Sequence, residues 1–132
     1  MYQIQSLTPN LMVNDVSYTL KFYLNHLGFE LVRTVPEQAP FTWAMVRKEN
    51  VELMFQTRES LIEDLPAFET IRPGASLTLF IKVNGIEGIY EKLKDHVEVV
   101  SNLKETSYAM KEFTFRDCNG YIISFAEPLN KD

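Results

Sequence analysis

A single carboxylate set among large, soft side chains is the chemical signal this chain offers first. Residues 41–47 and 51–57, FTWAMVR and VELMFQT, read as a hairpin around Lys48-Glu49-Asn50. Pairing them about Lys48-Glu49 sets Met45 opposite Glu52, Trp43 opposite Met54 and Phe41 opposite Gln56. Side chains alternate across a strand. One face therefore carries Phe41, Trp43, Met45, Glu52, Met54 and Gln56, and the other carries Thr42, Ala44, Val46, Leu53 and Phe55. The first face suits ligand chemistry: Trp and Phe stack on flat molecules, and Met adapts to irregular ones. Glu52 can pair with a ligand cation or serve as a general base in an apolar cavity. The plainer alternatives are an exposed strand carboxylate and core filling.

A second set lies near the end of the chain. EFTFR and YIISFAE flank the turn Asp117-Cys118-Asn119-Gly120, where Asp first and Gly last suit a tight turn. Pairing about that turn puts Phe115 opposite Ile122 and Phe113 opposite Ser124, so Phe113, Phe115, Ile122 and Ser124 share a face. Cys118 sits at the turn tip with no base nearby, which argues against a nucleophile. Lys82 reads as an exposed strand end, or as an anchor for a ligand anion or a partner for Glu52. His26 and His96 read as surface histidines.

The elements that must position these residues occur twice. Residues 7–13 read as a strand, Asn14 or Asp15 caps the helix that follows, and Val16, Leu20, Tyr23 and Leu27 fall at helical spacing before Gly28. Three strands complete the unit. Leu7, Thr8, Val13 and Asn14 recur at one common offset as Leu77, Thr78, Val83 and Asn84, and a helix with Ile86, Ile89, Tyr90 and Leu93 on one face follows. The pattern is an internal repeat. The fold expected is α+β, two βαβββ modules in pseudo-twofold arrangement forming a curved mixed sheet around a cleft. Module one spans about 5–57 and module two about 77–128, in a single domain of residues 1–132. The linker, residues 58–76, contains the helical candidate SLIEDLPAF and covers an open end of the cleft or contacts a partner chain. Each helix should bury the apolar faces of its own sheet, leaving faces with Thr8, Asn10 and Met12, and with Thr78, Phe80 and Lys82, for a ligand.

Composition narrows the function. The chain has 132 residues and a net charge of −5, with no Lys/Arg cluster. That speaks against nucleic acid and anionic membrane surfaces. The Met1 end has neither a basic flank nor an apolar run, so no signal peptide is expected. No stretch approaches the ~18 apolar residues of a membrane helix. A lone Cys118 allows no intrachain disulfide and fits a reducing cytoplasm.

The doubled pattern resembles the vicinal oxygen chelate superfamily, which includes glyoxalase I, extradiol dioxygenases and bleomycin resistance proteins. The matching pieces are PNLMVNDVSYTLKFYLNHLGFELV, NVELMF, SLTLFIKVNGIEGIYEKL and EFTFRDCNGYIISFAEP. Metal-dependent members hold a divalent cation with one side chain from each opening strand and one from each later strand. The resemblance places these positions at Thr8, Thr78, Glu52 and Ser124, of which only Glu52 is of ligand type. It therefore implies no metal and no other cofactor, and no metal-dependent enzyme. It implies the metal-free branch that binds a ligand by sequestration. The ligand there is a planar, often cationic antibiotic of bleomycin type, held among Phe41, Trp43, Met45, Glu52, Met54, Phe80, Phe113, Phe115 and Ser124. The segment Asn102–Met110 falls at the family's cleft rim, where Tyr108 and Met110 would close over the ligand. The competing readings are a lyase- or isomerase-type enzyme using Glu52 as base or in an altered metal site, and a non-catalytic regulatory or structural dimer. Free sheet edges favour a homodimer.

Overall fold

The first helix begins where Asp15 supplies a cap. Its Oδ1 accepts the Tyr18 N–H at 2.9 Å, satisfying a donor the first turn leaves free. In the computed structural model, which describes residues 1–74 and 76–129, this helix is α1 (Val16–Asn25). It buries Val16, Thr19, Leu20 and Tyr23. Tyr23 sets its ring 4.8 Å from that of Phe55 and 5.7 Å from that of Phe29.

The sheet beneath α1 contains β1 (Asn10–Val13), β2 (Glu30–Val35), β3 (Trp43–Lys48) and β4 (Val51–Thr57), in spatial order β1-β4-β3-β2. β1 runs parallel to β4, and the other pairings are antiparallel. β1 is shorter than the residues 7–13 expected. Pro9 has no N–H to give the ladder, and its carbonyl accepts the Met54 N–H at 2.9 Å as the last bond. Leu7 beyond it is exposed. α2 (Arg58–Asp64) and a 3₁₀ turn (Pro66–Thr70) follow in the linker.

The second sheet repeats the order with β5 (Thr78–Lys82), α3 (Ile86–Leu93), β6 (Glu98–Glu105), β7 (Met110–Arg116) and β8 (Ile122–Pro128), arranged β5-β8-β7-β6 with β5 parallel to β8. α3 lacks its own cap because Gly85 stands where Asp15 stood. Glu127, buried on β8, substitutes: its Oε1 accepts the N–H groups of Gly85 (3.1 Å) and Ile86 (2.9 Å). Lys111 on β7 pairs with Glu87 at 2.5 Å, and that hydrogen bond holds the Glu87 carboxyl below its ordinary value of 4.5. Among the described residues the chain is thus an α+β protein of two four-stranded mixed sheets with three α-helices in a duplicated βαβββ layout. It divides into two compact units, Met1–Pro73 and Gly74–Asp132.

Two hairpin registers differ from those expected, with unlike consequences. In the central hairpin Met45 pairs with Met54, Trp43 with Gln56 and Arg47 with Glu52. The slip is by two residues, an even number, so every side chain keeps its face. In the last hairpin Phe115 pairs with Ile123, Phe113 with Phe125 and Thr114 with Ser124. That slip is by one residue, and it exchanges faces. Phe113, Phe115, Ile123 and Phe125 lie together in the core under α3, with the Phe113 ring 5.1 Å from that of Tyr90. Ser124 shares the opposite face with Thr114 and Ile122. The turn accommodates the slip. Asp117 Oδ1 accepts the N–H groups of both Asn119 (2.8 Å) and Tyr121 (2.9 Å), so the loop closes on Asp117–Tyr121 with Gly120 at φ +88°. Burying those four apolar side chains contributes on the order of 6–12 kcal/mol, far more than any choice between tight turns.

Candidate functional site

In the first unit the sheet face away from α1 carries Trp43 and Met45 from β3 and Glu52, Met54 and Gln56 from β4. Trp43, Met45, Glu52 and Met54 are half-buried, which leaves area for contact. Phe41, also half-buried, precedes β3 and lies outside the strand.

Glu52 is not a lone carboxylate. Its Oε2 accepts from Nε of Arg47 at 2.8 Å and also from Nη2 of that guanidinium. Both side chains remain partly exposed, 53% for Arg47 and 34% for Glu52. The pairing follows from the two-residue register slip, which puts Arg47 rather than Met45 opposite Glu52. Both contacts fall on Oε2, and they hold the Glu52 carboxylate to the Arg47 side of the face.

At the other end of this face the linker intervenes. Gln56, 8% exposed, accepts from Asn10 Nδ2 at 2.9 Å and donates to Ser60 Oγ (2.9 Å) and Asp64 Oδ2 (2.8 Å). These bonds, with buried Leu61, seat α2 over the Met12–Gln56 end, and Met12 is buried as a result. Arg58 closes the neck of the linker by donating to the carbonyls of Ile71 (3.1 Å) and Glu69. A depression of about 330 Å³ elsewhere in this unit is lined by Gly28, Glu30, Arg47, Lys48 and Glu49 and does not include the Trp43–Met54 strip.

In the second unit Phe80 on β5, Ser124 on β8, and Thr114 and Met110 on β7 share one face. Phe80 is 51% exposed, whereas Ser124 is buried, its Oγ 2.7 Å from Thr114 Oγ1. Phe113 and Phe115, expected on this face, are fully buried on the other. The expected rim loop is largely strand: β6 runs to Glu105, and residues 106–109 make a tight turn closed by Thr106 N–H on the Met110 carbonyl at 2.8 Å. Tyr108 on that turn is exposed and donates its hydroxyl to Glu112 at 2.8 Å, which raises the phenol above its ordinary value of 10.0.

The four positions that would hold a divalent cation do not fit one. Thr8 lies before β1, Thr78 is exposed, the Ser124 hydroxyl is engaged by Thr114, and Glu52 is engaged by Arg47. Neutral hydroxyls are weak ligands where a stable site wants about three strong ones. Among the described residues no group of three or more His, Cys, Asp or Glu is placed to hold a metal ion. Nor is any helix among them long and apolar enough to cross a membrane.

Arg47, Thr114 and the Ser60–Asp64 pair that engages Gln56 are site residues the sequence did not single out. A correct register would have revealed the first two. The third depends on where the linker folds back, for which the sequence carries no local signal.

Solved structures share this fold. A structure of unknown function from Agrobacterium tumefaciens str. C58 superposes with TM-score 0.79 at 17% identity, covering 98% of each chain. A glyoxalase/bleomycin resistance protein/dioxygenase from Nocardioides gives 0.78 at 18% identity, covering 100% of this chain and 89% of that one. TioX from Micromonospora sp. ML1 gives 0.74 at 13%, covering 95% and 99%. Identities this low speak to the fold alone. No curated protein matches the sequence. The family model for the Glyoxalase/Bleomycin resistance protein/Dioxygenase superfamily matches residues 3–125, nearly the whole chain, and the protein belongs to that superfamily.

Proposed function

We propose that this protein binds a small, flat organic molecule without a metal, and acts by holding it rather than transforming it. The observation that carries this reading is the half-buried strip of Trp43, Met45 and Met54, beside a carboxylate already neutralised by Arg47. Such a strip offers stacking and polarizable contact, and it lacks a free acid–base pair. Planar antibiotics of bleomycin type are the ligand class this suits. A cationic one shares Glu52 with Arg47, so flatness is the primary requirement and charge a secondary one. A reducing cytoplasm suits the lone Cys118.

The protein is further proposed to work as a homodimer. Its edge strands expose apolar side chains, Leu31, Val32 and Val35 on β2 and Val100 on β6, and exposed strand edges pair readily. Sedimentation equilibrium should give twice the 15.3 kDa chain mass; a monomer at micromolar concentration would refute it.

The binding reading is tested by thermal shift with planar antibiotics and with divalent metals, since any ligand of the native state raises the melting point. Stabilisation by a planar compound in the presence of chelator supports it. Stabilisation by a metal alone favours an altered metal enzyme. No shift with either class favours a purely structural dimer.

A further inference from the structure

One lateral row across the second sheet reads Phe80, Ser124, Thr114, Ser101, from β5 through β8 and β7 to β6. Residues paired across strands share a face and lie within reach of one another. The row is an exposed aromatic followed by three hydroxyls. The Ser124 and Thr114 oxygens are 2.7 Å apart and either can donate. Two hydroxyls bring two protons, and one lies between the oxygens. The pair therefore keeps one further O–H donor on one oxygen and open lone pairs on the other. In the flanking rows Arg116 pairs with Glu98 at 2.8 Å and Glu112 accepts from Tyr108, while Lys82 and Lys104 lie in the Glu112 row.

We propose that this row recognises a flat ring whose edge carries N–H beside C=O, that is, a lactam or cyclic amide. The ring face lies on Phe80. The ring N–H donates to one hydroxyl oxygen, and the ring C=O accepts from the other hydroxyl, which closes a cycle of hydrogen bonds. Because the inner proton can run either way, the cycle forms with the amide in either orientation. This inference rests on the small-molecule reading above and names the ligand chemistry that reading leaves open.

The test is an NMR titration of the full ¹⁵N-labelled chain with three probes of one size: 2-quinolone, N-methyl-2-quinolone and 2-naphthoate. The expected result is that 2-quinolone shifts the amides of Phe80, Thr114 and Ser124. N-Methylation, which removes the donor and keeps the ring, should weaken binding about tenfold, the value of one net hydrogen bond. The double variant Thr114→Val with Ser124→Ala should bind both quinolones alike. Phe80→Ala, at an exposed position that leaves the core intact, should weaken both equally. Equal binding of the two quinolones by the native chain, or tighter binding of 2-naphthoate, would overturn the inference. Shifts confined to Trp43, Met45 and Met54 would overturn it while leaving the small-molecule reading standing. No shifts anywhere would remove both.

Discussion

Arg47 decides what Glu52 can do. A carboxylate on an apolar face invites two stories, a base for catalysis or a counterion for a cationic drug, and the guanidinium across the hairpin weakens both. The pair is partly exposed, so its contribution to stability is small, about 0–1 kcal/mol. Arg47→Ala should hardly move the denaturation midpoint, yet it frees Glu52. Calorimetric titration of the variant should show cationic planar compounds binding more tightly and neutral ones unchanged. A uniform change for both classes would mean that Glu52 does not face the ligand. Trp43 carries more of the account. Trp43→Ala removes the largest contact surface on the strip, and burial of such a side chain is worth roughly 1.5–3 kcal/mol. Affinity for any planar ligand should fall about tenfold to a hundredfold, with the far-ultraviolet circular dichroism retained.

At the scale of elements, the second copy of the repeat shows how one lost side chain is replaced. Asp15 caps α1 from the adjoining residue, while α3 takes its cap from Glu127, distant in sequence. Glu127→Ala leaves two helix N–H groups inside the protein without that acceptor, a cost of about 1–3 kcal/mol. Urea denaturation should show Glu127→Gln costing clearly less, because the amide oxygen still accepts. Equal losses would mean that charge rather than the hydrogen bonds matters. Asp117→Ala should likewise lower stability by about 1–2 kcal/mol, since it deletes both bonds that set the turn and its register. Elements of this kind were largely legible in the sequence: the doubled order, a cap at Asn14 or Asp15, the Gly28 stop and both hairpins all follow from period and punctuation. Register was not. An Asp-x-x-Gly string is compatible with a four-residue turn and with a three-residue loop, and only the burial of Phe113, Phe115 and Phe125 selects the second. The candidate site inherits that difference. The central hairpin's strip survived an even slip, while Phe113 and Phe115 moved from the ligand face to the core through an odd one.

For the whole molecule, the proposal is a superfamily scaffold that holds an organic ligand, with Thr8, Thr78 and Ser124 at three of the positions where the resemblance places metal ligands. The chain contains one tryptophan, Trp43, so tryptophan fluorescence reports the proposed strip alone. The most direct measurement is quenching of that fluorescence by a series of planar antibiotics, run once with chelator and once with added divalent metal. The account predicts saturable quenching by at least one planar compound, with the same affinity in both runs. Quenching that appears only when metal is supplied would contradict it.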